Sequence, residues 1–135
     1  MTPKQIIDKM MTGDEYSRWL CIEFLELEEG KVNLSLTVKP EMLNGFHIAH
    51  GGISYALADS ALAFSSNAYG RHAVSVETSI SHVQKVMEKD TLRTDVREVS
   101  LNHKIGIYHI AILNQHDVEV AHFKGTVYRS DKVWI

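Results

Sequence analysis

Residues 51–69, GGISYALADSALAFSSNAY, constrain the fold of this chain more than any other segment. Ile53, Ala56, Leu57, Leu62, Phe64 and Ala68 fall on every side of a 3.6-residue period, so the segment predicts a helix with no polar face, and such a helix must be buried. Gly70 is its natural stop. Between His50 and Arg71 the only formally charged side chain is Asp59, in the middle of this helix. Its neighbours one turn away are Tyr55, Ala56, Leu62 and Ala63, none of which can pair with it, and an unpaired carboxylate in apolar surroundings is costly. A compensating group must come from elsewhere in the fold. The plain reading is a structural hydrogen bond to a strand or to another subunit; the chemical reading makes Asp59 a base or nucleophile.

The rest of the chain supplies what buries the helix. Ile6, Ile7, Met10 and Met11 predict a short amphipathic helix over 3–12, stopped by Gly13. Residues 22–27 and 32–38 suit strands, the second with strict alternation, and Glu28, Glu29, Gly30 and Lys31 form their hairpin turn. After the helix come four strand-like runs, 73–81, 91–99, 105–114 and 118–128, with a turn at 114–117. Short turns between successive strands imply antiparallel neighbours. The expectation is an α+β fold in which an antiparallel sheet of about six strands curls around one buried helix, as a single domain over residues 1–135.

Charge and composition exclude several classes. Hydrophobic residues make up 44% and charged residues 23%, which is ordinary for a globular protein and speaks against disorder. The formal net charge of -3, with Lys and Arg scattered, leaves no footprint for nucleic acid. The start of the chain has no basic segment leading into an apolar run, and no stretch of about eighteen apolar residues occurs anywhere, so a cytoplasmic protein without membrane association is expected. The one cysteine, Cys21, sits between Leu20 and Ile22 and is expected to pack.

Immediately before the long helix stands His50-Gly51-Gly52. Free N–H groups and the positive dipole end at a helix start favour a developing negative charge, and a glycine there lets a carbonyl come close to the backbone. That is the anatomy of an oxyanion site, beside which Asp59 could act. Gly51 and Asp59, however, lie about 12 Å apart along one helix and cannot meet the same carbon atom. A two-fold dimer with antiparallel helices solves this by setting Gly51 of one chain against Asp59 of the other.

At Asn44, His50-Gly51-Gly52 and Leu57-Ala58-Asp59, with support from Val74-Ser75-Val76 and Val120-Ala121-His122-Phe123-Lys124-Gly125, the sequence resembles the hotdog-fold acyl-CoA thioesterases, specifically the phenylacetyl-CoA thioesterase-like (PaaI-like) group. The resemblance covers about residues 15–128. It implies hydrolysis of a small aromatic or medium-chain acyl-CoA without a cofactor or metal, in a homodimer that pairs again into a homotetramer. Carried over by position, it implies that Asp59 activates water or attacks the thioester directly, that the Gly51 N–H polarises the carbonyl, that Asn44 and His50 position substrate or water, and that Ser75 orients the water. The chain departs from the family's pattern at 82–90, HVQKVMEKD, where relatives usually carry a proline and a glycine. Lys85 and Lys89 lie in this loop, in reach of CoA phosphates by analogy, yet exposed lysines are more often simply solvated.

Other features weigh less. His47 and His50 form an HxxH pair without an acidic or cysteine companion at a zinc-like spacing, so no metal is expected. His109 and His122 fall in strands and read as structural. Tyr55, Phe64 and Tyr69 could line an acyl pocket or belong to the core. A non-catalytic acyl-CoA binder is the alternative reading; a hydratase would need a different constellation of residues.

Overall fold

The computed structural model describes residues 1–135. Helix α1 (Pro3–Gly13) begins in a capping box, in which Gln5 N–H donates to Thr2 Oγ1 (3.2 Å) and Thr2 N–H to Gln5 Oε1 (2.8 Å). A second helix, α2 (Glu15–Leu20), follows at once; the periodicity over 3–12 gave no sign of it. Asp14 caps it through Ser17 N–H at 2.9 Å, and six residues are too few for a hydrophobic period to register. Cys21 closes α2 in the left-handed conformation (φ 53°) and is exposed, accepting a hydrogen bond from Lys39 Nζ at 2.9 Å. The expectation that Cys21 packs is therefore corrected: the reversal of the chain at the end of α2 leaves its thiol outside the core.

Strands β1 (Glu23–Glu28) and β2 (Lys31–Thr37) form the expected hairpin, turned at Gly30 with φ 73°. A 3₁₀ turn at Pro40–Met42 leads to the central helix α3 (Gly51–Asn67). Strands β3 (Arg71–His82), β4 (Thr91–Leu101), β5 (Ile105–Leu113) and β6 (Glu119–Val133) complete one six-stranded antiparallel sheet in the order β1-β2-β4-β5-β6-β3. Strand β6 runs five residues past its expected end at 128, because its polar tail pairs with the start of β3 as far as Arg71 and Val133. Trp134 N–H then donates to the Gly70 carbonyl at 2.9 Å.

The sheet curls around α3, which packs against β2, β3, β4, β5 and β6 and meets β1 through an edge-to-face contact of Phe24 with Phe64 at 5.2 Å. Alternation along β5 is complete, with Tyr108, Ile110 and Ile112 buried against Leu57, Ala58 and Ala61 in one core. At Gly125 on β6 the sheet comes so near the helix that a Cβ would stand 2.5 Å from Leu62 Cδ2. Where β2 and β4 splay beyond Ser35 and Arg93, side chains replace the ladder: Val96 N–H donates to Asn33 Oδ1 (2.9 Å) and Leu34 N–H to Thr94 Oγ1 (2.9 Å).

One feature of α3 differs from the apolar-all-round expectation of complete burial. Tyr55, Asp59, Ser60 and Ala63 are half exposed, forming a stripe at helical spacing along the flank next to β3. Strand β3 is an edge of the sheet, paired only with β6, and its Val74 and Val76 are exposed by 63% and 60%. The sheet thus leaves one side of an apolar helix uncovered, beside an unpaired strand edge.

Candidate active site

The start of α3 is held by a network that begins at Asn44. The Asn44 N–H donates to the Ile48 carbonyl (2.8 Å), while Asn44 Oδ1 accepts from the N–H groups of Phe46 (2.9 Å) and Ile48 (3.4 Å), closing a tight loop in which His47 adopts φ 61°. Ala49 N–H is tied to the Val86 carbonyl and His50 N–H to the Met42 carbonyl, both at 2.8 Å. His50 is the N-cap of α3: its Nδ1 accepts from Gly52 N–H at 2.9 Å. The Gly51 N–H has no acceptor within the chain. Asn44 and Gly51 line an open cavity of 390 Å³ together with Ser54, His82, Gln84 and Lys85.

Two turns along the helix, Asp59 lies half-buried without a hydrogen bond or ion pair inside the chain, and burial raises its pKa above the ordinary carboxylate value. It lines a second cavity, of 230 Å³, with Ser75 on β3 and the apolar side chains of Leu62, Ala63, Val74 and Val127. Ser75 stands at an irregularity of the β3–β6 register between Ser75 and Glu77. The two cavities have no residue in common. Asn44, His50 and Gly51 are brought together at one end of α3, Asp59 and Ser75 at the middle, and a single chain does not unite the two groups.

His82 is the neighbour that sequence reasoning missed. A Cβ on Gly51 would stand 3.1 Å from its Nε2 and 3.2 Å from its Cε1, so the imidazole lies directly against the helix start. The strand-like run in the sequence ends at 81 and places His82 at the start of the 82–90 loop; the structure extends β3 to His82, whose proximity to Gly51 is nonlocal. Lys85 does line the Gly51 cavity, whereas Lys89 serves a turn with φ 73°, its N–H donating to the Val38 carbonyl at 2.9 Å.

The aromatic candidates divide differently. Tyr55 hydrogen-bonds Thr78 Oγ1 on β3 and packs edge-on against Phe123 at 5.5 Å. Phe64 is core, and Tyr69 donates to Glu98 Oε2 at 2.7 Å under Arg129. None of the three lines the Asp59 cavity. His109 and His122 meet each other on the sheet's outer face, with 3.4 Å between Nδ1 and Nε2. No three His, Cys, Asp or Glu side chains are grouped as metal ligands would be.

The model of the thioesterase superfamily matches residues 46–121, a span that holds both Gly51 and Asp59. The chain belongs to the thioesterase superfamily. The acyl-coenzyme A thioesterase PaaI of Escherichia coli is 32% identical over 89% of this chain and 86% of its own length. The solved structure of the E. coli PaaI protein, from the phenylacetic acid degradation operon, superposes with a TM-score of 0.93 at 30% identity, covering 97% of this thioesterase and 95% of that chain. A Streptococcus mutans protein solved with acetyl-CoA bound has a TM-score of 0.80 at 27% identity, covering 84% of this chain and 91% of its own. The PaaI-like resemblance and the hotdog fold are thereby shown, and the thioesterase is a thioester hydrolase. No helix of the thioesterase is long and apolar enough to cross a membrane.

Proposed function

We propose that this thioesterase hydrolyses acyl-CoA with a small aromatic or medium-chain acyl group, in a site built by two copies of the chain. The observation that carries the reading is the pair of unspent groups: a Gly51 N–H without an acceptor and an Asp59 carboxylate without a donor, each opening into its own cavity. Both are half-exposed and face their cavities rather than a partner in their own chain. A second copy meets them at once if Gly51 of one chain lies against Asp59 of the other.

The internal geometry supports one particular two-fold axis. Tyr55 lies midway along the helix between Gly51 and Asp59, and Thr78 and Ser79 lie midway along β3 between Ser75 and His82. Tyr55 and Thr78 are hydrogen-bonded to each other, so the two midpoints lie side by side. An axis passing there pairs the two β3 edges antiparallel, covers Val74 and Val76, and brings Gly51 with His82 of one copy to Asp59 with Ser75 of the other. The resulting dimer pairs again into a tetramer.

In that site the thioester carbonyl oxygen accepts from Gly51 N–H while Asn44 and His50 hold the substrate. Asp59 takes a proton from a water oriented by Ser75; the water oxygen bonds the carbonyl carbon, the C–S bond breaks, and the CoA thiolate leaves to be protonated. Alternatively Asp59 attacks the carbon itself, and water then hydrolyses the mixed anhydride. The small apolar cavity beside Asp59 holds the acyl group, and no cofactor enters either route. The test is release of CoA thiol from an acyl-CoA panel: Asp59→Asn should lose 100-fold or more of the turnover (~100 to 10,000-fold) with assembly intact. Mass spectrometry of protein quenched during a single turnover distinguishes the routes, since only a nucleophilic Asp59 carries the acyl group covalently before water releases it. Tight binding with no turnover of any acyl-CoA would instead establish a binding protein.

A further inference from the structure

The environment of Gly51 holds a second hydrogen-bonding group whose role follows from its position. The His82 imidazole lies against the Gly51 backbone, with Nε2 as the nearest atom to a Cβ built there, at 3.1 Å. His82 makes no side-chain hydrogen bond, although it shares the 390 Å³ cavity with Gly51 and Asn44. Its backbone is fixed: His82 pairs with Ala121 across β3 and β6, and the next two N–H groups, of Val83 and Gln84, both donate to the Val120 carbonyl at 2.9 and 3.1 Å. The ring therefore stands at the end of a well-anchored strand, beside an unspent backbone donor and over a residue that has no side chain to hold it away.

An oxyanion is stabilised far better by two convergent donors than by one, and the cost of removing one such donor is about 100 to 1,000-fold in kcat. The start of α3 offers one free N–H, because the Gly52 N–H is already taken by His50. We infer that His82 supplies the second donor, its Nε2–H meeting the same thioester carbonyl oxygen as the Gly51 N–H. This rests on the proposed acyl-CoA thioesterase function. The hydrogen bond tightens as the carbonyl carbon becomes tetrahedral and negative charge gathers on the oxygen, so it lowers the barrier without adding to ground-state affinity. A glycine at position 51 then has two purposes: it admits the carbonyl and it seats the ring.

The inference is tested with His82→Ala and His82→Gln in the intact protein, measuring kcat and KM separately on the best acyl-CoA of the panel, next to Asp59→Asn. His82 has no intramolecular side-chain bonds to lose, and assembly measured on each variant verifies the fold. The expected result is a fall in kcat of about 100-fold in His82→Ala with KM changed by less than about threefold, and recovery of about tenfold in His82→Gln, whose amide N–H can reach the oxygen. Unchanged kcat in His82→Ala while Asp59→Asn is inactive overturns the role of His82 and leaves the thioesterase reading standing. Equal losses in His82→Ala and His82→Gln, or a loss confined to KM, also overturn it, because the ring then only packs or binds. Absence of turnover in the unaltered protein defeats the underlying reading instead.

Discussion

At the scale of single residues, the proposed chemistry is concentrated in groups that the chain leaves without a partner of its own. Burial raises the Asp59 pKa above its ordinary value, so the fold favours the neutral carboxyl. The stability associated with Asp59 is therefore fully present below the unfolded carboxylate pKa and is lost as pH rises through the raised folded value. Asp59→Asn should melt higher than the unaltered protein at neutral pH and show no such advantage in strong acid; thermal melts across pH give the comparison. Under the proposed mechanism, turnover should show an acidic limb set by Asp59 and displaced above the usual carboxylate range, since the ionised form is the one that acts, as base or as nucleophile. His50 separates capping from chemistry. His50→Ala removes the acceptor of the Gly52 N–H and should cost about 1 kcal/mol, whereas His50→Asn supplies a preferred capping oxygen and should hold the melting temperature. Asp59 was legible in the sequence because it is the one charge in an apolar helix; His82 was not, because nothing near it in the sequence indicates that Gly51, on a different element, lies against its ring.

Among the elements, α3 and β2 were readable because each advertises its type by period: no polar face on the helix, and Val32, Leu34 and Leu36 alternating with polar residues on the strand. The hairpin at Gly30 was readable from its turn residues. Helix α2 was not, being a six-residue helix started by the Asp14 cap, and the tail of β6 was not, since the polar residues Arg129 to Lys132 are drawn into the sheet by β3 rather than by their own pattern. The half-open stripe on α3 could not be read either, because sequence periodicity reports that a face is apolar and says nothing of whether its own chain covers it. The contact between helix and sheet is tightest at Gly125. Gly125→Ala forces a Cβ into Leu62 and should destabilise by about 1–3 kcal/mol through overpacking, measured by denaturant unfolding with an unchanged m-value.

For the whole molecule, the decisive prediction concerns mixtures. Asp59→Asn and Gly51→Val should each be nearly inactive, yet a mixed dimer contains one site with an intact Gly51 from the first and an intact Asp59 from the second. Refolding the two together in equal amounts should restore about one quarter of the native turnover, as half the dimers are mixed and each has one good site. Sites contained within single chains would give no recovery. Val76→Lys, placed on the unpaired β3 edge, should shift the protein toward monomers in sedimentation and lose activity in proportion.

Under the proposed shared site, two cavities that share no residue turn catalysis into a matter of encounter. An isolated chain would then carry every reacting group and still hold no place where they act together. Under the shared-site reading, activity per chain is a function of how many copies are present: dilution below the dissociation constant silences the protein without unfolding it, and accumulation restores it. The concentration of the chain then serves as its own threshold, read out by the square of its abundance when copies are few.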